Sequence, residues 1–175
     1  MEEFSYELKI PEERVAVLIG KDGETKKEIE NSTKCKLDVS KEGDVTIFGE
    51  EGLILYTTRE IVKAIGRGFN PKIALLLLKT DYVLEIIDLK NIAGKSKNTM
   101  DRLKGRVIGK GGKSREEIER LTTTNISVYG KTIGILGDTQ QVIIAREAVA
   151  MLLTGSMHKT VFQFLERKKK KMMLG

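Results

Sequence analysis

One short stretch occurs twice in this chain and constrains the fold more than any other feature. The first copy is Leu18-Ile19-Gly20-Lys21-Asp22-Gly23 and the second, 89 residues later, is Val107-Ile108-Gly109-Lys110-Gly111-Gly112. Each copy is followed, six residues after its last glycine, by an isoleucine, Ile29 or Ile118. Glycine permits a tight turn and leaves backbone N–H groups open to a phosphate, and lysine adds positive charge. The repetition predicts two similar domains of about 80 residues each.

The composition excludes several classes of protein. No stretch approaches the roughly 20 consecutive apolar residues of a membrane helix, and the first ten residues contain no signal-peptide core. Cys35 is the only cysteine and His158 the only histidine, so no disulfide, structural zinc site or Cys–His catalytic pair can form within the chain. We therefore expect a soluble, intracellular protein with no membrane association. We also predict that it is cytoplasmic, is not an enzyme and needs no metal or cofactor.

The net charge of +6 is distributed unevenly along the chain. Residues 1–80 contain 13 Lys and Arg against 15 Asp and Glu, whereas residues 81–175 contain 18 against 10. The second half is therefore predicted to be the partner of a polyanion.

Hydrophobic periodicity predicts the elements of the first half. A strand at 4–10 is ended by Pro11, which opens a helix that runs to the first glycine turn. The later elements are predicted as a helix at 24–32, strands at 36–40 and 44–49, and a helix from about 51 to 66. A short apolar helix at 71–79 is expected to be buried between the domains and to hold them rigidly.

The second half repeats this order with differences. A strand is predicted at 82–88, a helix at 113–122, strands at 125–129 and 132–136, and a helix at 139–153. About eleven additional residues, rich in lysine and arginine, precede the second turn. This insertion is expected to form a solvated loop or to extend a phosphate-binding surface, although its last part, 98–106, has a helical pattern. Ser156 is predicted to cap a last helix that docks on a domain or a partner, followed by a basic tail at Lys168–Lys171 that is solvated or contacts RNA or protein.

The order strand, helix, GxxG turn, helix, strand, strand, helix resembles a type I KH domain. The predicted fold is thus α+β, with two tandem type I KH domains, each a three-stranded antiparallel sheet packed on helices. The domains are expected at 1–69 and 81–155, with a linker helix at 70–80 and a C-terminal helix and basic tail at 156–175.

Three chemistries compete for the second turn. Gly112-Lys113-Ser114 matches the end of a nucleotide-binding P-loop, but Val107 stands where that motif needs its first glycine. A helix-turn-helix with glycine caps and no ligand explains one copy but not the lysine in both. Binding of single-stranded nucleic acid, in which the GxxG turn clamps the backbone beside an apolar groove, accounts for the most features.

The second turn is predicted to be the stronger RNA site. Lys110, Lys113 and Arg115 would neutralise phosphate, while Ile108, Ile118 and Ile126 would line the groove or, equally, belong to the core. The predicted RNA-binding residues are Arg106, Ile108, Gly109, Lys110, Gly111, Gly112, Lys113, Arg115, Ile118, Ile126 and Lys131. The secondary set is Ile19, Gly20, Lys21, Asp22, Gly23, Lys26 and Lys27. Because Asp22 and Glu24 are acidic, we expect the first domain to bind RNA more weakly, or to bind protein.

Beyond a generic KH pair, the chain resembles the partner-of-Nob-one, or Dim-two, family of small-subunit ribosome-assembly proteins, and its archaeal members in particular. The stretches that carry the resemblance are Gly66-Arg67-Gly68-Phe69-Asn70-Pro71 with Ala74-Leu75-Leu76-Leu77-Leu78, then Arg106-Val107-Ile108-Gly109-Lys110-Gly111-Gly112-Lys113, and Ala145-Arg146 with Leu152-Leu153-Thr154-Gly155.

The resemblance implies a non-enzymatic factor that binds single-stranded RNA near the 3′ end of 16S rRNA, mainly through the second KH domain. It also implies two protein partners, the PIN-domain endonuclease that cuts that end and the alpha subunit of translation initiation factor two. Eukaryotic members generally lack an intact GxxG in the first domain, whereas Gly20-Lys21-Asp22-Gly23 is intact here. The alternatives are a KH protein of mRNA or RNA decay and a P-loop-like NTPase.

Overall fold

The computed structural model describes residues 3–175, which divide into two compact units between Thr80 and Asp81. Both units show the predicted order of strand, helix, glycine turn, helix, strand, strand and helix. The predicted α+β fold with two three-stranded antiparallel sheets is confirmed.

The first unit packs one face of its sheet on helices. Its elements are β1 (Phe4–Lys9), α1 (Glu12–Ile19), α2 (Glu24–Thr33), β2 (Lys36–Val39), β3 (Asp44–Gly49), α3 (Gly52–Gly66) and α4 (Pro71–Ala74). The strand order is β1-β3-β2, which places β3 in the centre. Because side chains alternate along a strand, Val45 and Ile47 of β3 both point into the core, where α3 packs on β3. Ile61 and Ile65 of α3 are also fully buried.

The apolar segment after α3 belongs to this first unit. Asn70 caps its start by accepting a hydrogen bond from the Lys72 N–H at 2.9 Å, with Pro71 at the first helical position. The chain continues as a tighter 3₁₀ turn, Leu75–Leu78, and Ala74 and Leu77 are buried. The segment packs on α3. Its predicted role as a rigid connection between the domains stays a prediction.

The second unit has the same sheet order, β4-β6-β5. Its elements are β4 (Tyr82–Asp88), α5 (Lys90–Ala93), α6 (Lys97–Ile108), α7 (Lys113–Thr122), β5 (Asn125–Tyr129), β6 (Thr132–Asp138), α8 (Thr139–Leu153) and α9 (His158–Leu174). Ile133 and Ile135 of the central strand are fully buried, and Val149 and Leu152 of α8 belong to the same core.

The expectation of a solvated loop before the second turn is wrong for most of the insertion. It forms α5 and lengthens the next helix, so that α6 has 12 residues where α1 has 8. Ser96 caps α6 by accepting a hydrogen bond from the Thr99 N–H at 3.2 Å. Met100, Leu103 and Val107 then form a buried stripe with helical spacing, which holds this basic segment on the core.

The last helix also differs from its prediction. It begins at His158 and not after a Ser156 cap, because Ser156 completes the turn that follows α8 by donating its N–H to the Met151 carbonyl at 2.9 Å. Val161 and Leu165 are buried as α9 packs on α7 and α8. The predicted basic tail, Lys168–Lys171, is a continuation of this helix.

Candidate nucleic-acid interface

The second glycine turn joins the end of α6 to the start of α7. Gly109, Gly111 and Gly112 have φ angles of 74°, 64° and 77°, in the region that glycine adopts without strain. A Cβ on Gly109 would lie 2.4 Å from the Ser114 Cβ, so no larger residue fits there. By contrast, a Cβ on Gly111 would meet nothing within 4 Å. The turn thus packs tightly on its inner side and leaves its outer side open to a ligand.

Positive charge surrounds the open side of this turn. The first N–H groups of α7 have no helical partner, and the helix dipole favours an anion at this end. Lys110 and Lys113 flank it, both exposed, and neither ammonium group forms an ion pair with any of residues 3–175. This arrangement can bind a phosphate in the manner of other helix N-termini.

Arg115 is engaged within the protein. It donates to the Glu119 carboxylate at 3.2 Å and to the Ile126 carbonyl at 3.3 Å, while Glu119 accepts the Ile126 N–H at 2.8 Å. These contacts attach α7 to β5 at the rim of the groove. In the first unit Glu30 makes the same carboxylate contact as Glu119, because it accepts the Leu37 N–H at 2.9 Å. The arginine contact is not repeated there.

Arg106 also has a structural role that its sequence position does not reveal. Its guanidinium donates to the carbonyl of Leu152, at 2.8 Å from Nε, and to that of Ser156. The carbonyl of Arg106 is itself bonded to His158 Nε2 at 2.8 Å. Arg106 therefore connects α6 to the end of α8 and the start of α9. In the first unit Arg14 makes the same kind of contact, to the carbonyls of Ile65 and Phe69.

The predicted apolar groove residues separate into two groups. Ile118 and Ile126 are 0% and 3% exposed and belong to the core, and their contact with RNA bases stays a prediction. Ile108 is half-buried beside the turn. Lys131 is exposed in the β5–β6 turn. The sequence analysis did not include Lys104 in the site, although its ammonium donates to the Gly130 carbonyl in the same turn at 3.0 Å.

The first glycine turn has the same backbone with different chemistry. Gly20 and Gly23 have φ angles of 76° and 75°, and Asp22 has a φ of 54° where the second turn has a glycine. Lys21 and Lys27 are exposed, while Ile19 and Lys26 are half-buried. Glu24 begins α2 at the position that Lys113 holds in α7. Two carboxylates therefore stand where a phosphate would approach.

The structure also bears on metal binding, membrane insertion and nucleotide binding by a P-loop. Among residues 3–175, no group of His, Cys, Asp and Glu side chains is arranged to hold a metal ion. No helix in the same range combines the length and apolar character needed to cross a membrane. A P-loop requires a strand before its glycine turn, and here the preceding element is the helix α6.

Comparison with known proteins identifies the family. A family model for the second KH domain of PNO1, described as a eukaryotic-type KH domain (KH-domain type I), matches residues 83–170, and a KH domain model matches residues 5–62. The KH domain-containing protein MJ0443 of Methanocaldococcus jannaschii is 53% identical over 168 residues, which cover 94% of this chain and 74% of that protein. The chain belongs to the PNO1/Dim2 family of KH proteins.

Solved structures of Dim2 proteins are similar over almost the whole chain. Dim2p from Pyrococcus horikoshii is 43% identical with a TM-score of 0.88, covering 94% of this chain and 99% of that one. A chain in the crystal structure of an a/eIF2alpha–aDim2p–rRNA complex from the same organism is 44% identical with a TM-score of 0.90, covering 97% and 96%. Eukaryotic PNO1 proteins are similar over a shorter part of the chain. The pre-rRNA-processing protein PNO1 of Candida albicans is 36% identical over 98 residues, which cover 55% of this chain and 36% of that protein. The chain thus spans less than half the length of that PNO1 relative.

Proposed function

We propose that this chain is a ribosome-assembly factor that binds single-stranded RNA of the 3′ region of 16S rRNA through its second KH domain. The observation that carries the proposal is the second GxxG turn. It presents open backbone, the N-terminus of α7 and two unpaired lysines on one side. Relatives in the family are named for pre-rRNA processing, and a Dim2 protein has been crystallised with rRNA.

The geometry supports different roles for the residues of this site. The RNA backbone lies against Gly111 and Gly112, where phosphate oxygens reach the first N–H groups of α7 and the charges of Lys110 and Lys113. Ile108 supplies apolar contact beside the turn. Arg115 and Arg106, which are bonded to carbonyls, keep α7 and α9 in place around the bound strand.

The proposal extends to partners. The a/eIF2alpha chain in the Dim2 complex from Pyrococcus horikoshii supports the alpha subunit of translation initiation factor two as a partner. Association with a PIN-domain endonuclease stays a prediction. The role needs no catalytic residue in this chain, which acts as a binding protein, and we assign it to the cytoplasm.

The first test is charge reversal at the turn. Lys110→Asp combined with Gly111→Asp is expected to weaken binding of a 16S rRNA 3′-terminal oligonucleotide at least about tenfold, because phosphate contacts dominate affinity. Fluorescence anisotropy measures this. Lys41→Asp combined with Gly52→Asp makes the same charge change in the first unit, at two sites outside the glycine turns, and is the matched control. Equal losses in the two double variants would contradict the proposal.

The cellular role is tested by crosslinking the protein to RNA in cells and sequencing the bound fragments. Enrichment of the small-subunit rRNA 3′ region is expected, and its absence in favour of mRNA would sink the assembly role. Hydrolysis of ATP and GTP, assayed with and without RNA, is expected to stay at background.

A further inference from the structure

A recess lies on the other flank of the second glycine turn, facing the last helix. It has a volume of about 770 Å³ and is bounded by α6, the start of α7 and the first half of α9. On α6 it is lined by Arg102, Gly105 and Arg106, which share a face by helical spacing. Lys104, which is bonded to the β5–β6 turn, lies on a different face. We call this recess the α9 cleft.

One end of the α9 cleft is suited to an anion. Ser114, in the first turn of the ten-residue helix α7, lines the cleft and is 4% exposed. Its hydroxyl finds no hydrogen-bond partner anywhere in residues 3–175. A buried hydroxyl without a partner costs free energy that a ligand oxygen would recover. Lys110 and Lys113 also line the cleft, so a phosphate there would meet two ammonium groups and a helix N-terminus, next to the buried Ser114 side chain.

The other end offers aromatic surface and carboxylates. The rings of His158 and Phe162 line it with centroids 6.2 Å apart and planes inclined at 56°, and His158 is held by the Arg106 carbonyl. Glu117 and Glu166 are also in the lining. The hydrogen bond from Arg120 lowers the pKa of the Glu117 carboxyl, which is therefore a charged acceptor near neutral pH. Rings accept a flat heterocycle, and carboxylates accept its amino groups while repelling phosphate.

We propose that the α9 cleft holds one nucleotide, with its phosphate at Ser114 and Lys113 and its base against Phe162. The order of residues along α7 favours this orientation, because Lys113 and Ser114 lie in its first turn and Glu117 lies about one turn further along. The nucleotide comes either from the RNA strand whose neighbouring phosphate occupies the glycine turn or from a free mononucleotide. Binding of a nucleotide of the RNA strand rests on the proposed function, whereas binding of a free mononucleotide does not.

Gly105 provides the means to test this without removing a lining side chain. It lies within the helix α6, and a Cβ built there meets nothing within 4 Å. Gly105→Phe would fill the cleft, while Gly105→Ala adds only a methyl group and is the matched control. Both replace a glycine in a helix interior, so neither is expected to destabilise the fold.

The RNA arm uses oligonucleotides of the 16S rRNA 3′ region shortened one nucleotide at a time from either end. With wild type and Gly105→Ala, anisotropy is expected to show a step of about 5- to 100-fold in affinity at one nucleotide, the effect of stacking one base. Gly105→Phe is expected to lack this step and to keep the affinity for the shorter oligonucleotide. A step of equal size in Gly105→Phe overturns binding of an RNA nucleotide in the cleft.

The second arm titrates AMP, GMP, CMP and UMP into the protein without RNA and follows the His158 ring resonances by NMR. Shifts in Gly105→Ala that are absent in Gly105→Phe indicate a mononucleotide in the cleft. The inference is wrong if wild type and Gly105→Ala show neither the affinity step nor the chemical-shift changes. It is also wrong if both persist in Gly105→Phe. Failure of the proposed function is recognised separately, because the charge reversal at Lys110 and Gly111 would then leave RNA affinity unchanged.

Discussion

At the residue scale, the first glycine of each turn is fixed by a hydroxyl residue five positions later. A Cβ on Gly20 would lie 2.3 Å from Thr25 Oγ1, and one on Gly109 would lie 2.4 Å from the Ser114 Cβ. The last glycine of each turn has a similar positive φ, but its Cβ would have room. The last glycine of each motif is therefore required by its backbone conformation alone, and the first by its backbone conformation and by close packing.

This difference predicts unequal costs of substitution. Gly109→Ala combines an unfavourable φ with a steric clash and is expected to lower the free energy of unfolding by about 2–4 kcal/mol. Gly112→Ala has only the conformational penalty, about 1–2 kcal/mol. Urea unfolding of the two variants measures the difference. If both lose the same amount, the contact with Ser114 contributes nothing.

Residue roles near the turn were only partly predictable. The glycines and the exposed lysines follow from composition and spacing. The roles of Arg106 and Arg115 do not, because the carbonyls that accept their hydrogen bonds lie 11 to 50 residues away in sequence. A charged side chain next to a phosphate-binding motif has the same sequence signature whether it binds a ligand or a neighbouring helix.

At the element scale, periodicity predicted most strands and helices, and β3, β4, β5, α7 and α8 have the predicted bounds. It was wrong for most of the insertion, where the lysine-rich composition predicted a solvated loop. Lysine is a good helix former, and both the insertion and the C-terminal segment are helical. Leu53 and Ile143 continue the apolar patterns of α3 and α8, yet they are 81% and 62% exposed.

The attachment of α9 predicts a stability effect. Arg106→Met removes the hydrogen bonds to Leu152 and Ser156 and leaves those partly buried carbonyls with fewer donors, which is expected to cost about 2–3 kcal/mol of unfolding free energy. Arg102→Met, one turn earlier on the same helix and exposed, is expected to change it by less than about 0.5 kcal/mol. Thermal unfolding followed by circular dichroism compares the two. Matching losses would show that the carbonyl contacts of Arg106 do not matter.

At the scale of the whole molecule, the repeat was sufficient to predict two domains of the same fold, because one supersecondary unit was encoded twice. The repeat does not predict the packing of α9 on α7 and α8. That packing has no counterpart in the first unit and depends on contacts between residues far apart in sequence. For the same reason the α9 cleft could not be predicted from the sequence, although Lys113 and Ser114 lie next to the glycine turn.

The charge difference between the halves predicts unequal RNA binding by the two turns. Lys110→Asp is expected to reduce the slope of log affinity against log salt by about 1, and Lys21→Asp by clearly less, because Asp22 and Glu24 already oppose phosphate at the first turn. Anisotropy titrations from low to moderate salt measure both slopes. Equal reductions would show that local charge does not rank the two sites.

The close packing of Gly20 on Thr25 and of Gly109 on Ser114 has a practical use in searching sequences. In both units the tight approach joins the first glycine to a small hydroxyl residue two positions after the last, so the conserved geometry extends over six residues and not four. A search pattern that also requires Ser or Thr at that sixth position would reject ordinary glycine caps of helices. It would retrieve turns of the present kind from uncharacterised genomes with fewer false matches.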